Sequence, residues 1–237
     1  MTVALELASW LVLQQGATRH QIDEVLSPGG RINRGTRSTR LRELRMRLGQ
    51  DPDGNFHFPH VNSQPDKAYR LAGVSCDWIN FQHLTRTEHP AGSTEREEAL
   101  LQALQLVRGR PFTGVAARRY TWAEDLTQDI IKTVVHVADE LADINLQRGD
   151  GRGALWAATR GLHVAREAEQ LWRHKFRALT LLGQDAELED SIRSLESNLL
   201  EWGCTMEEET NETIRLLQAP ATAPPRTAPN QGCATPH

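Results

Sequence analysis

Apolar residues near the start of the chain recur at helical spacing and predict three short helices. The predicted helices cover residues 3–15, 18–26 and about 36–48. A T-x-x-Q pattern at Thr18 and Gln21 is a capping box, which marks the start of the second helix. Gly49 follows the third helix and favours the left-handed conformation that ends a helix. A helix–turn–helix followed by a third helix is therefore expected.

Two short extended segments follow the third helix, at residues 56–58 and 68–71. Polar residues and Pro65 separate them, as in the loop of a β-hairpin. A helix–turn–helix, a third basic helix and a small hairpin together are typical of a winged helix–turn–helix domain. The spacing leaves one alternative open, an arbitrary three-helix segment with solvated arginines.

Beyond Asp77 the pattern predicts helices almost throughout. A long helix after Trp122 carries one apolar stripe, formed by Leu126, Ile130, Val134, Val137, Leu141 and Ile144. Two more helices are expected at about 153–166 and 168–182, the first with a stripe of the small residues Ala154, Ala157, Gly161 and Ala165. Gly149 and Gly183 lie 34 residues apart, which is the tetratricopeptide period. Tetratricopeptide-like helix pairs are predicted, with a plain helical bundle as the alternative.

These patterns and the composition divide the chain into three parts. Residues 1–90 are expected to form the winged helix-turn-helix-like domain, and residues 91–217 the helical domain. Residues 218–237 are rich in proline, alanine and threonine and contain few large apolar side chains. This last part is predicted to be a disordered tail, because it cannot bury a core.

The charge is distributed unevenly along the 237 residues, although the net charge is only -4. Residues 31–48 carry seven arginines against the single acid Glu43, whereas acids outnumber bases in residues 121–217. An acidic surface repels a polyanion, so any contact with nucleic acid belongs to the first part of the chain. Three scattered cysteines and the absence of a long apolar run or signal peptide favour a reducing compartment, so a cytoplasmic protein is expected.

The third predicted helix has the two faces that a DNA-reading helix needs. Leu41, Leu44 and Leu48 define the buried face, and the opposite face carries Thr36, Thr39, Arg42, Glu43 and Met46. Arg42 could contact a guanine and Glu43 a cytosine amine, while the two threonines suit phosphate or thymine-methyl contacts.

Other basic residues are predicted to neutralise phosphates. They are Arg34, Arg40 and Arg47, with Arg37 reaching outward from the buried edge, and Lys67 and Arg70 on the wing. Met46 does not fit a surface that reads DNA and favours a protein contact instead.

The chain carries no constellation typical of catalysis. It lacks a G-x-S-x-G nucleophile motif, a G-x-G-x-x-G dinucleotide motif and a phosphate-binding loop. His57 and His60 form an H-x-x-H pattern on an extended segment with no nearby carboxylate, so a surface role is expected. The tryptophans, among them Trp122, Trp156, Trp172 and Trp202, are assigned to core packing. We therefore expect a protein that is not an enzyme and has no cofactor or metal.

Several segments resemble the SARP-type antibiotic regulators, which join a winged helix–turn–helix to a bacterial transcriptional activator domain. The similar segments of the helical domain are LLQALQLVRGRPFTG at 100–114, YTWAE at 120–124, VADELADINLQRGDGRGALWAATRGL at 137–162 and EEETNETIRLL at 207–217. Upstream, TRSTRLRELRMRLG at 36–49 resembles the recognition helix of the family, and YRLAGVSCDWINFQHL at 69–84 resembles its wing strand and domain entry.

One departure from the family affects the fold and the function that the resemblance implies. The family's winged helix normally opens with β-strands, whereas the first helix here begins almost at Met1. The predicted fold is therefore mainly α, with a truncated winged helix–turn–helix followed by a tetratricopeptide-like helical bundle. The Arg-Gly-Arg-Pro-Phe and Tyr-Thr-Trp-Ala-Glu segments look closest to the C-terminal module of LysM-containing actinobacterial proteins.

The resemblance implies two functions. In the first, the chain is a transcriptional regulator that binds double-stranded DNA and uses the helical domain for a protein partner or self-association. In the second, it is a cytoplasmic protein-interaction module of a larger membrane or cell-wall-linked protein whose winged helix no longer reads DNA. Neither interpretation involves membrane contact by this chain itself.

Overall fold

The computed structural model describes residues 3–14, 16–86, 89–90, 92–115 and 120–219. Its helices are α1 (Val3–Val12), α2 (Arg19–Leu26), α3 (Arg34–Leu48), α4 (Asp77–Arg86), α5 (Thr94–Gln105), α6 (Glu124–Gln147), α7 (Gly151–Leu162), α8 (Glu169–Leu181), α9 (Asp185–Trp202) and α10 (Glu208–Gln218). The prediction of a mainly α fold is confirmed. Residues 220–237, most of the predicted tail, lie outside the described residues. No helix in the described ranges is long and apolar enough to cross a membrane.

Helices α1 to α3 enclose the first of two hydrophobic clusters. Its fully buried members include Leu7 and Leu11 on α1, Ile22 on α2 and Leu44 on α3. The predicted capping box at the start of α2 is confirmed, because the Thr18 hydroxyl accepts a hydrogen bond from the Gln21 backbone and the Gln21 side chain accepts one from the Thr18 backbone. The three helices thus form the tri-helical body that the sequence predicts.

The predicted hairpin does not form a strand ladder: its two segments are joined by one backbone hydrogen bond, from Ala72 to the carbonyl of His57 at 2.9 Å, while their bridges are made with other segments. Among the described residues only isolated bridges occur, Ala17 with Tyr69 and Gln50 with Phe56. Ala17 exchanges both of its backbone hydrogen bonds with Tyr69, each at 2.8 Å. Residues 68–71 are therefore held against the segment between α1 and α2, and the hairpin prediction was wrong.

Helices α4 to α10 contribute the second hydrophobic cluster, with α6, α7 and α8 at its centre. All four small residues predicted on one stripe of α7 and the following turn are buried, namely Ala154, Ala157, Gly161 and Ala165. The 34-residue spacing recurs in the structure, since Gly151 begins α7 and Asp185 begins α9. Helix α8 contacts α7, α9 and α10.

Two polar contacts fix α5 and α8 to the long helix α6. Arg96 on α5 donates two hydrogen bonds of 2.7 Å to the carboxylate of Glu140. His174 on α8 is buried, and its Nε2 lies 3.0 Å from an oxygen of Asp139. This hydrogen bond is the main cause that lowers the pKa of Asp139 below its usual value.

Helix α4 packs with the second cluster, although the sequence assigned it to the first domain. Phe81 on α4 is buried in that cluster, where Trp78 and Leu84 pack against it. Helix α4 packs against α5. This packing favours a domain boundary before Asp77 rather than near residue 90.

We expect residues 76–217 to fold on their own and to melt at a higher temperature than residues 93–217. Removal of α4 takes Phe81 out of the second cluster, and the loss of a buried aromatic side chain costs about 3–5 kcal/mol. Circular dichroism during thermal melting of the two fragments measures the difference. Equal melting temperatures would show that α4 contributes nothing to this core.

The tryptophans differ in burial. Trp172 is buried and its indole donates to the carbonyl of Arg166 at 2.8 Å, as core packing predicts. Trp156 is only partly buried and Trp202 is 40% exposed, so the core assignment of Trp202 was wrong. Helical spacing places both on helices, but it does not tell which face a neighbouring helix covers.

Candidate nucleic-acid interface

Helix α3 begins at Arg34, two residues before the predicted start. Its N-cap is Asn33, whose side-chain oxygen accepts a hydrogen bond of 2.8 Å from the Thr36 backbone. It ends at Leu48, and the following Gly49 has a positive φ of 70° but a ψ of -152°, so the predicted left-handed stop is not formed although glycine is still favoured there. Leu41 and Leu44 are buried in the first cluster. The opposite face of α3 is therefore turned to solvent.

Arg37 was predicted to reach outward to a phosphate, but it is buried in an ion pair within the protein. It is only 5% exposed, and its Nη1 lies 2.9 and 2.8 Å from the two carboxylate oxygens of Asp23 on α2. A buried guanidinium with this carboxylate partner has no reason to swing outward, because leaving the pair would strand the charge of Asp23. The ion pair links α3 to α2, and both helices also contact α1.

Arg45 also forms its contacts within the protein. Its Nε donates a 2.8 Å hydrogen bond to the carbonyl of Phe58, and its guanidinium lies 5.3 Å from the centroid of the Phe58 ring. Partial burial lowers the pKa of Arg45, but a guanidinium remains charged throughout the physiological range. Arg45 thus fastens the segment after α3 to the helix.

The solvent-facing side of α3 brings together most of the predicted site residues. Arg34, Thr36, Thr39, Arg42, Glu43 and Arg47 are all exposed. Among the described residues no ion pair or side-chain hydrogen bond involves Arg34, Arg42 or Arg47. Arg31, which was not predicted as a contact, is likewise exposed just before the helix. We name the exposed residues Arg34, Thr36, Thr39, Arg42 and Arg47 the outer face of α3, although Arg34 joins it only because it lies in the first turn, on the same side as Leu41.

Arg40 and Glu43 are paired with each other on the same helix. Their charged atoms lie 3.0 Å apart, and their side chains keep 40% and 45% of their exposure. An exposed pair of this kind contributes about 0–1 kcal/mol, so a ligand can separate it at low cost. Met46 lies on the same side and is 67% exposed.

The two basic residues predicted on the wing have local partners. Lys67 is exposed and its Nζ donates to the carbonyl of Asn62 at 3.0 Å. Arg70 is paired with Asp66, and the backbone of Ala68, more than Arg70, lowers the pKa of that carboxyl. Neither cation is as free as those on the outer face of α3.

The Arg-Gly-Arg-Pro-Phe motif leads into a junction between the two clusters. The rings of Phe112, Tyr120 and Trp122 lie 5.5 to 5.8 Å apart, and Trp122 packs against the first cluster. The backbone of Tyr120 donates a 3.0 Å hydrogen bond to Glu6 on α1. Phe112 and Tyr120 both adopt positive φ values, 54° and 58°. The sequence linked this motif to a family but gave no signal that it joins the two clusters.

The described residues contain no group of three or more histidine, cysteine or acidic side chains that could hold a metal ion. The ring Nδ1 of His57 lies 2.9 Å from the carbonyl oxygen of Ala72. The His57 ring of the H-x-x-H pattern therefore contacts the backbone at Ala72.

Comparison with known proteins identifies the second half of the chain. The family model of the bacterial transcriptional activator domain matches residues 76–217, while a search of curated proteins finds no match. The solved structure of Mycobacterium tuberculosis EmbR in complex with a low-affinity phosphopeptide is similar in fold, with a TM-score of 0.61 and 16% identity. That similarity covers 92% of this chain and 59% of the EmbR chain. The chain belongs to the bacterial transcriptional activator domain family, as its likeness to SARP-type regulators predicts.

Proposed function

We propose that the chain is a DNA-binding transcriptional regulator, rather than an enzyme, that places α3 in the major groove. The observation that carries this proposal is the outer face of α3, where Arg34, Arg42 and Arg47 are exposed without partners. On the buried side of the helix the Arg37–Asp23 ion pair links α3 to α2. Guanidinium groups without partners in the protein can attract phosphates and donate hydrogen bonds to base edges.

The contacts follow from position along the helix and from which side chains are free. Arg42 is the candidate for a bidentate contact with guanine, and Thr39 for a thymine methyl or a phosphate. Arg34, Thr36 and Arg47 contact phosphates. Arg40 and Glu43 can join once their exposed pair separates, with Glu43 accepting from a cytosine amine. Lys67 and Arg70 reach the neighbouring backbone by exchanging local partners for phosphates.

Arg42→Ala should cost about 1–3 kcal/mol in binding to a DNA site selected from a random library, and little on random DNA. A base contact is lost only where the correct base is present, which separates Arg42 from phosphate contacts. Fluorescence anisotropy on both duplexes at one fixed salt concentration measures this difference.

Arg47→Ala should weaken binding to both duplexes and reduce the slope of log K against log salt by about one unit. Arg177→Ala is the matched control, since Arg177 is an exposed arginine on α8, far along the chain. If selection enriches no site, or if both α3 variants bind like the parent chain, the proposal is refuted.

Met46 favours a second function, that of a protein-interaction module within a larger protein. An exposed methionine in the middle of a helix face suits an apolar protein contact better than a charged groove. In this alternative, binding to duplex DNA would be weak and would lack a steep salt dependence. Both functions place the chain in the cytoplasm and give its helical half a protein partner.

A further inference from the structure

One face of α7 is left open to solvent and differs in chemistry from the buried face. It consists of Arg152, Leu155, Trp156, Thr159, Arg160 and His163, whose spacing follows one side of a helix. The face combines apolar side chains with basic ones and has no acidic residue. We call these six residues the α7 floor.

The α7 floor lines three adjoining cavities, which together we call the groove. A cavity of about 470 Å³ lies directly over it. A second, of about 440 Å³, shares Trp156 and Arg160 and extends to α5, and a third, of about 400 Å³, shares Leu155 and Thr159 and extends to α9. At 1.5 Å per residue the twelve residues of α7 span about 18 Å, the length of an extended peptide of about six residues.

The polar side chains that line the groove are either held by contacts within the protein or have no partner there. The Arg160 guanidinium lies 5.3 Å from the Trp156 ring centroid and donates a 3.2 Å hydrogen bond to the carbonyl of Val107. Arg152 and His163 are exposed, and no described residue forms an ion pair with either. The side-chain oxygen of Gln184, which lines two of the cavities, is buried and has no hydrogen-bond partner among the described residues.

We propose that this groove binds an acidic peptide segment of a partner protein, with one aliphatic or aromatic side chain against Leu155 and Trp156. Carboxylates of the peptide pair with Arg152 and Arg160, and a peptide N–H donates to Gln184. The acidic residues of the peptide are confined to the central cavity, whose lining is basic and apolar, because Glu97 and Asp150 line one flanking cavity and Glu187 and Asp190 the other. Duplex DNA is wider than this central cavity, so its phosphates would also face those four carboxylates. The inference deepens the protein-contact role proposed for the helical half and does not require α3 to read DNA.

Selection from a display library of random peptides about 12 residues long, with the full chain as bait, tests the proposal directly. We expect enriched peptides to combine aspartate or glutamate with leucine, phenylalanine or tryptophan. A fluorescein-labelled copy of the leading peptide then serves as the probe in anisotropy titrations. Its affinity should fall steeply with added salt, because the pairs with arginine are partly exposed.

Arg152→Glu should weaken binding of this probe by about tenfold or more, since it replaces an attraction by a repulsion. Arg177→Glu makes the same charge change on an exposed position outside the groove and should alter the affinity by less than about twofold. Trp156→Ala should also weaken binding. The melting temperature of the Trp156→Ala variant shows whether the partly buried ring is needed for folding. If it is needed, the Arg152→Glu variant alone tests whether the peptide binds in the groove.

Three results would overturn the proposal. They are a selection that enriches no acidic peptide, a probe that binds Arg152→Glu as well as the parent, and displacement of the probe by random duplex DNA. The Arg42→Ala variant should bind the peptide normally, and Arg152→Glu should bind the selected DNA site normally. Failure of the peptide site is thus distinguishable from failure of the DNA-binding proposal.

Discussion

Replacing Asp23 by alanine should lower the free energy of unfolding by about 2–3 kcal/mol. The substitution leaves the guanidinium of Arg37 buried without its carboxylate partner, and an uncompensated buried charge is costly. The estimate lies below the range for a fully buried pair because the Asp23 side chain keeps 29% of its exposure. Urea denaturation of the parent chain and the variant measures the change.

The Arg40–Glu43 pair supplies the matched control on the same helix. Arg40→Ala should change the free energy of unfolding by no more than about 1 kcal/mol, because both partners are already hydrated. Replacing Arg37 and Asp23 together by leucine should recover part of the loss, since neither charge is then stranded. If Asp23→Ala is as mild as Arg40→Ala, the Arg37–Asp23 pair does not hold α3 in place.

This contrast bears on how any DNA-binding loss is interpreted. A variant of Arg37 that weakens DNA binding should also lower stability, because Arg37 positions the helix from behind. Variants of Arg42 and Arg47 should weaken DNA binding with the melting temperature unchanged, because both side chains are exposed. The two measurements together separate residues that position α3 from residues that contact DNA.

The burial of Arg37 could be predicted from the sequence in part. Arg37, Leu41, Leu44 and Leu48 follow one another at spacings of four, three and four, so Arg37 lies on the apolar stripe of the helix. A charge on such a stripe needs a buried partner. That partner, Asp23, belongs to α2, and only the tertiary fold, in which α2 and α3 both contact α1, brings the two residues together.

The wing and the groove show where periodicity stops being informative. Residues 68–71 have the composition of a strand, but their pairing partner is Ala17, which is distant in sequence. The positions 152, 155, 156, 159, 160 and 163 carry a mixed basic and apolar face that the sequence already contained. Their exposure depends on how α5 and α9 flank α7, and no local pattern determines that arrangement.

The packing of α7 at Gly161 leads to the largest loss of stability expected from a single substitution, about 3 kcal/mol or more for Gly161→Val. A Cβ at this position would lie 2.7 Å from the Cβ of Ala138 on α6 and 2.5 Å from a methyl carbon of Leu171 on α8. The Leu171 side chain can rotate away, but the Cβ of Ala138 is fixed to its backbone, so α6 and α7 must separate. Overpacking of a close helix contact therefore outweighs the gain of about 1 kcal/mol that a helix draws from losing a glycine.

Gly161→Ala should show a smaller loss of the same sign, and Gly35→Ala provides the control without overpacking. Gly35 lies in the first turn of α3, and a Cβ there would approach only the side-chain oxygen of Asn33, at 3.3 Å. Its replacement should leave stability within about 1 kcal/mol of the parent or raise it. Urea denaturation followed by far-ultraviolet circular dichroism measures all three variants. Equal stability of Gly161→Val and the parent would show that α6, α7 and α8 do not meet as closely as the small-residue stripe requires.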